Sequence, residues 1–183
     1  MNEISRDLAI VPAKGNQFSS ADDPELVERW YRRKFAALVG ERVVVVGGDL
    51  ISQRVDALVN PCDRKCPCSA SQALAIGGDG ISARWVFQTA VPDWNGGDHL
   101  EDSLLASAWG SCLALAAERG VGRIAFPALG CGCRGFPLSV AASVAATAIL
   151  FGLLKHPTIE RALIVCREPA TLRAFRMALE GDR

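Results

Sequence analysis

Val43-Val44-Val45-Val46, closed off by Gly47-Gly48, is the segment that most constrains what this chain can fold into. Consecutive β-branched residues favour an extended strand, and such a strand has no polar face to turn toward water. It needs cover on both sides, as in a sheet flanked by helices. Further short apolar runs predict more strands: Val55–Asn60 (VDALVN), Trp85–Val91 (WVFQTAV), Arg123–Pro127 (RIAFP) and Ala162–Cys166 (ALIVC). Between them the apolar residues recur at helical spacing. Leu100–Arg119 places Leu104, Leu105, Ala108, Cys112, Leu115 and Ala116 on one face, and Gly120 ends it. Pro137–Leu154 and Pro169–Leu179 predict two further helices, the last amphipathic through Leu172, Phe175 and Leu179. Strands alternating with helices from residue 85 onward imply right-handed crossovers and a mixed, mostly parallel sheet between helices.

The 183 residues, half of them hydrophobic, suit one domain with a full core. Residues 1–40 are expected to form an arm and a helix, Pro24–Leu38, packed on a domain of residues 41–183. Leu138–Leu154 carries no charge. It is read as a buried helix, because it is rich in Ala, Ser and Thr and sits at the short end of the ~17–25 residues a membrane span needs. Lys and Arg number 20, as do Asp and Glu. That balance argues against a nucleic acid held by bulk charge, and no membrane partner is expected; a small anion held by backbone groups remains open. The N-terminal stretch lacks the apolar core and small-residue cleavage site of a secretory signal. A cytoplasmic location and reduced thiols are therefore expected for the seven cysteines.

Ligands of open α/β sheets lie beyond the carboxyl ends of the strands. Three segments are expected there: Gly48-Asp49-Leu50, Asn60–Ser71 and Ala128–Pro137. The third reads Ala-Leu-Gly-Cys-Gly-Cys-Arg-Gly-Phe-Pro and joins a strand to a helix. Its glycines permit positive φ and close backbone approach, so successive N–H groups converge on an anion at the positive end of the next helix. Spacing alone leaves a ligand-free tight turn equally open. Asp49 reads as an exposed carboxylate, a helix cap or a ligand contact.

These residues together resemble the macrodomain family. Gly48-Asp49-Leu50 followed by Val55-Asp56-Ala57-Leu58-Val59-Asn60 is similar to the family's opening Gly-Asp-Ile and Val-Asp-Ala-Ile-Val-Asn. Trp85–Ser107 resembles its middle strand and following helix, Ile124–Pro137 its second phosphate-binding loop, and Ala162–Phe175 its last strand and helix. The likeness spans roughly residues 42–179. It implies a three-layer αβα fold that binds ADP-ribose, in some members removing it from proteins, nucleic acid or metabolites. By that resemblance Asp49 would bond the adenine amine, with Leu50 beside it. Gly130, Cys131, Gly132, Cys133, Arg134 and Gly135 would wrap the diphosphate, Phe136 holds the aromatic position before Pro137, and Arg167 stands where a ring stacks on adenine.

The departures lie after Asn60. The family continues Ala-Ala-Asn and then a glycine loop with a helix, the source of catalytic Asn and Asp in its hydrolases. Here Pro61-Cys62-Asp63-Arg64-Lys65-Cys66-Pro67-Cys68 follows, with Asp63 where the second Asn would be. The loop and helix are read as deleted. The competing alignment takes Ile76-Gly77-Gly78-Asp79-Gly80 as a shortened glycine loop. The common hydrolytic mechanism is therefore not carried over. An enzyme here would be a divergent ADP-ribosyl hydrolase with Asp63 as its general base and Arg64 or Lys65 steadying the diphosphate.

Two alternatives remain. Cys62, Cys66 and Cys68 in the shortened loop face Cys131 and Cys133 across the expected cleft, enough thiolates for a zinc ion or a redox-sensitive cluster. His99 and His156 are read as surface residues. The chain would otherwise be a degenerate scaffold acting through a protein partner, with the Trp30–Lys34 stretch as the contact.

Overall fold

The computed structural model describes residues 42–62 and 72–180. The expected arm and helix of residues 1–40, and their packing, lie outside this range. Among the described residues the strands are β1 (Val43–Gly47), β2 (Ala57–Cys62), β3 (Ala73–Gly77), β4 (Trp85–Ala90), β5 (Arg123–Pro127) and β6 (Arg161–Cys166). The helices are α1 (Glu101–Glu118), α2 (Leu138–Lys155) and α3 (Pro169–Glu180). One sheet holds all six strands in the order β1-β6-β5-β2-β4-β3. Every neighbouring pair is parallel except β3 with β4.

The register sorts the side chains onto two faces. Val43 lies opposite Ala162, Ala162 opposite Ile124, Ile124 opposite Ala57, and Ala57 opposite Trp85. Alternation then puts Val45, Ile164, Phe126, Val59 and Phe87 on the same face. That face carries the helices. Trp109 of α1 meets Phe126 with ring centroids 4.5 Å apart, and Leu172 of α3 packs where Gly47 has no side chain. Helix α2 touches both α1 and α3. It is long and apolar enough to cross a membrane, yet its Ala141, Ala145, Ile149 and Leu153 are buried in this packing. The second face is closed by Val55, Leu58, Ala83, Ala125 and Val165, with Val46, Leu50, Ile81 and Leu163 against them. Within the valine run of β1, Val43 is buried and Val44–Val46 are half-buried, so the run is sheltered on both faces but fully covered only at its start.

Two polar side chains fix the amino-terminal edge. The Arg42 guanidinium donates to the carbonyls of Leu153, His156 and Ile159 and so closes the C-terminus of α2. The Asp56 carboxylate accepts the N–H groups of Gly122 (3.0 Å) and Arg123 (2.8 Å), which ties the start of β2 to β5.

Two expectations change. β2 begins at Ala57 rather than Val55, because Val55 turns into the second-face cluster. β3 was not expected: its Ala-Leu-Ala-Ile-Gly run is short, and its strand character comes from pairing with β4. Its direction matters. Because β3 runs against β4, the Gly77–Arg84 connection sits at the amino-terminal edge of the parallel strands, where Gly78 N–H bonds Arg84 O. Ile76–Gly80 is therefore a hairpin turn at the wrong end of the sheet to be a phosphate loop, and that alignment falls.

Candidate ligand-binding cleft

The carboxyl ends of β1, β2, β4, β5 and β6 open on one side of the sheet, and the loops there form the candidate site. The β5–α2 loop, residues 128–137, is held by its own backbone hydrogen bonds. Gly130 (φ 86°) and Gly135 (φ 74°) take left-handed conformations. The Phe136 N–H returns to Gly130 O at 3.1 Å and the Gly135 N–H to Gly132 O at 3.1 Å. A side chain at Gly130 would lie 3.0 Å from the Phe136 ring. Among the described residues the N–H groups of Gly132 and Cys133 donate to no protein acceptor. The first amides of α2 follow directly, with no side-chain cap at Pro137. Unused amides and an uncapped helix start are the elements of a backbone anion site.

The loop is clamped from the side. Arg134 is largely buried. Its Nη1 meets Asp93 Oδ1 at 2.9 Å, and its Nη2 donates to the carbonyl of Cys62, at the end of β2, at 2.9 Å. The Trp94 N–H donates to Arg134 O at 2.8 Å, and the Trp94 ring rests on Phe136 with centroids 5.0 Å apart. The β4–α1 loop that supplies Asp93 and Trp94 is itself gripped by Glu101. That buried carboxylate accepts the N–H groups of Asn95 (3.0 Å), Gly97 (3.3 Å) and His99 (2.7 Å). Burial pushes the Glu101 carboxyl up, but these amides and its own outweigh burial and hold it below the ordinary glutamate value. Gly97 has φ 94°, and a side chain there would strike Trp94. Strand ends far apart in sequence are thus joined through Arg134.

The remaining expected site residues divide. Asp49 is exposed in the turn after β1. Its carbonyl accepts Ser52 Oγ and Gln53 Nε2, and its carboxylate meets Arg167 at 3.4 Å in an exposed pair. Leu50 packs into the second-face cluster, and Asn60 is exposed on β2. Phe136 is buried under the loop, where it supports the backbone. Asp63 and the Arg64–Lys65 pair lie outside the described residues. Asp93, Trp94 and Glu101 were missed as contributors; all three lie within Trp85–Ser107, but nothing local marks their partners.

Of the thiols expected to gather, only Cys62, Cys131 and Cys133 lie among the described residues. Cys62 is disulfide-bonded, so the expectation of uniformly reduced cysteines fails there and Cys62 is unavailable as a metal ligand. Cys66 and Cys68 lie outside the described residues. Cys131 and Cys133 are free, the first half-buried and the second exposed. Burial, with the Cys166 thiol nearby, pushes Cys131 up to about 12, the opposite of an activated thiolate. Among the described residues no three His, Cys, Asp or Glu side chains group to hold a metal.

Comparison with known proteins matches this geometry. The macrodomain of Oceanobacillus iheyensis, solved with ADP, superposes with a TM-score of 0.67 at 18% identity, over 74% of this chain and 88% of that one. An O-acetyl-ADP-ribose deacetylase of Citrobacter koseri is 33% identical over 117 residues, 63% of this chain and 66% of that protein. A macro domain-containing protein of Cupriavidus necator is 30% identical over 170 residues, 76% of this chain and 98% of its own length. The family model for the Macro domain matches residues 46–145, a stretch that holds β2 to β5, both clamping loops and the start of α2. A Gly-rich loop, the sheet order around it and the match over most of the domain lead to one conclusion: the chain belongs to the Macro domain family.

Proposed function

We propose that this domain binds ADP-ribose or a close nucleotide diphosphate in the cleft at the carboxyl ends of the strands. The observation that carries the reading is the β5–α2 loop, with the free amides of Gly132 and Cys133 ahead of the uncapped start of α2. The diphosphate lies on those amides and the adenine reaches toward Asp49. ADP in the Oceanobacillus iheyensis structure supports this reading. With the first glycine loop absent from the sequence, one wall is reduced, and micromolar or weaker affinity is expected. Titration calorimetry with ADP-ribose tests the proposal. Saturable one-to-one binding that Asp49→Ala weakens supports it. Absence of heat with folded protein overturns it in favour of a scaffold acting through a protein partner.

A catalytic reading is favoured by the Citrobacter koseri relative, an O-acetyl-ADP-ribose deacetylase. In that reading the chain is a divergent ADP-ribosyl hydrolase, with Asp63, the residue after Cys62, as the carboxylate that serves as base. Acetate release from O-acetyl-ADP-ribose, lost in Asp63→Asn, supports it. No release alongside normal ADP-ribose binding leaves a reader of the modification.

A further inference from the structure

We propose that the amino-terminal edge of the sheet, opposite the cleft, is a second binding surface, one that takes the phosphate backbone of a single-stranded nucleic acid. Arg161 and Arg123 are the first residues of β6 and β5. Arg84 immediately precedes β4, Arg54 precedes β2, and Arg119 ends α1. Because β6, β5, β2 and β4 are neighbours in that order, the backbone positions of Arg161, Arg123, Arg54 and Arg84 form a row about 14 Å long at the ~4.8 Å spacing of strands, with Arg119 beside Arg84 at the Trp85 ring. A groove of about 740 Å³ runs beside it, lined by Arg54, Asp56, Ser82, Arg123, Thr158 and Glu160 among others.

The charges in this row are largely unspent. Arg123 faces Glu160 at 3.9 Å. Arg54, Arg84, Arg119 and Arg161 have no carboxylate within 4.0 Å among the described residues. Arg84 and Arg119 are instead held over the Trp85 ring, 5.3 and 5.1 Å from its centroid. A guanidinium lying on an indole keeps its in-plane N–H donors free and loses less freedom when it meets a phosphate.

The spread of the cations decides the ligand class. A small anion engages one or two of them, whereas a chain with regularly spaced phosphates engages the row. The groove also holds Asp56 and Glu160. The carboxylates of an acidic peptide offer these two acids no donor, whereas the exocyclic amines of bases donate to them. Ser82 and Thr158 add neutral hydroxyls. The zero net charge averages over all 183 residues, which is how a local basic row escapes the composition.

The test is fluorescence anisotropy of a labelled single-stranded oligonucleotide of mixed sequence. Binding is expected, with log K falling against log salt at a slope of about −3 for four phosphate contacts. The triple substitution Arg54→Ala, Arg84→Ala, Arg119→Ala is expected to weaken it about tenfold or more and flatten the slope by about 2. Circular dichroism and ADP-ribose titration of the triple variant report whether fold and cleft are intact. No anisotropy change at low salt, unchanged binding by a folded triple variant, or displacement of the oligonucleotide by ADP-ribose would each overturn the proposal. Equal competition by poly-glutamate overturns the assignment to nucleic acid.

Discussion

The two ends of the sheet handle charge in opposite ways. At the carboxyl end the charged groups are consumed in building the cleft: Arg134 on Asp93 and the Cys62 carbonyl, Glu101 on three loop amides. What the described β4–α1 and β5–α2 loops leave for an anion is backbone N–H. At the amino end Asp56 Oδ2 is spent on backbone and Arg123 meets Glu160, but Arg54, Arg84, Arg119 and Arg161 are exposed and make no ion pair among the described residues. A backbone site depends on φ angles and loop shape, so it is short-ranged and selective. A row of guanidinium groups depends on Coulomb attraction, so it is long-ranged and screened by salt. The fold supplies the first; side-chain identity supplies the second.

Salt separates the two most widely. Raising it from about 50 to about 200 mM should weaken oligonucleotide binding on the order of fiftyfold, from the expected slope. ADP-ribose binding should change by less than about threefold, since its diphosphate meets amide dipoles held in place by the loop. Similar losses at both ends would erase the distinction. Gly130→Val attacks the cleft alone. The new side chain meets Phe136 in a left-handed backbone position, a strain of about 1–3 kcal/mol. ADP-ribose affinity should fall about tenfold while the oligonucleotide binds as before; a parallel loss of both would mean that the ends are not independent.

Smaller effects sharpen the account of the clamp. Asp93→Ala releases Arg134 from its ion pair and should cost about fivefold in ADP-ribose affinity, with partial recovery in Asp93→Asn, which keeps an acceptor. Wild-type affinity in Asp93→Ala would show that the clamp does not shape the loop. Glu101→Gln tests the support behind it. Because the Glu101 carboxyl is held below its ordinary value, its stabilisation is in place above the usual glutamate range and is lost as pH falls through the lowered value. The gap in Tm between wild type and Glu101→Gln should therefore close on acidification. A gap that stays constant with pH would show that ionisation plays no part.

How much of this was legible depends on the range of the interaction. The helices at 101–118, 138–155 and 169–180 were readable to within a residue or two, because helical spacing and Gly or Pro boundaries are local. So were β1 and β5, and the glycine pattern of the β5–α2 loop. β3 was not, since five residues of Ala-Leu-Ala-Ile-Gly become a strand only beside β4. The Arg134–Asp93 pair joins residues 41 apart, and Asp56 reaches 66 residues to Gly122; no local pattern announces either. Glu101 looked like an ordinary first-turn acid and proved to be the buried anchor of a loop.

The sequence by itself determined the class of the fold and the presence of a glycine-rich strand-to-helix loop, because β-branched runs, helical periodicity and glycine spacing act over a few residues. The tertiary structure alone decided which end of the sheet each glycine cluster serves, which side chains hold the loop, and that arginines scattered from residue 54 to 161 start from one edge of the sheet. Those outcomes follow from strand order and direction, and strand order is set by contacts between segments that lie far apart in the chain.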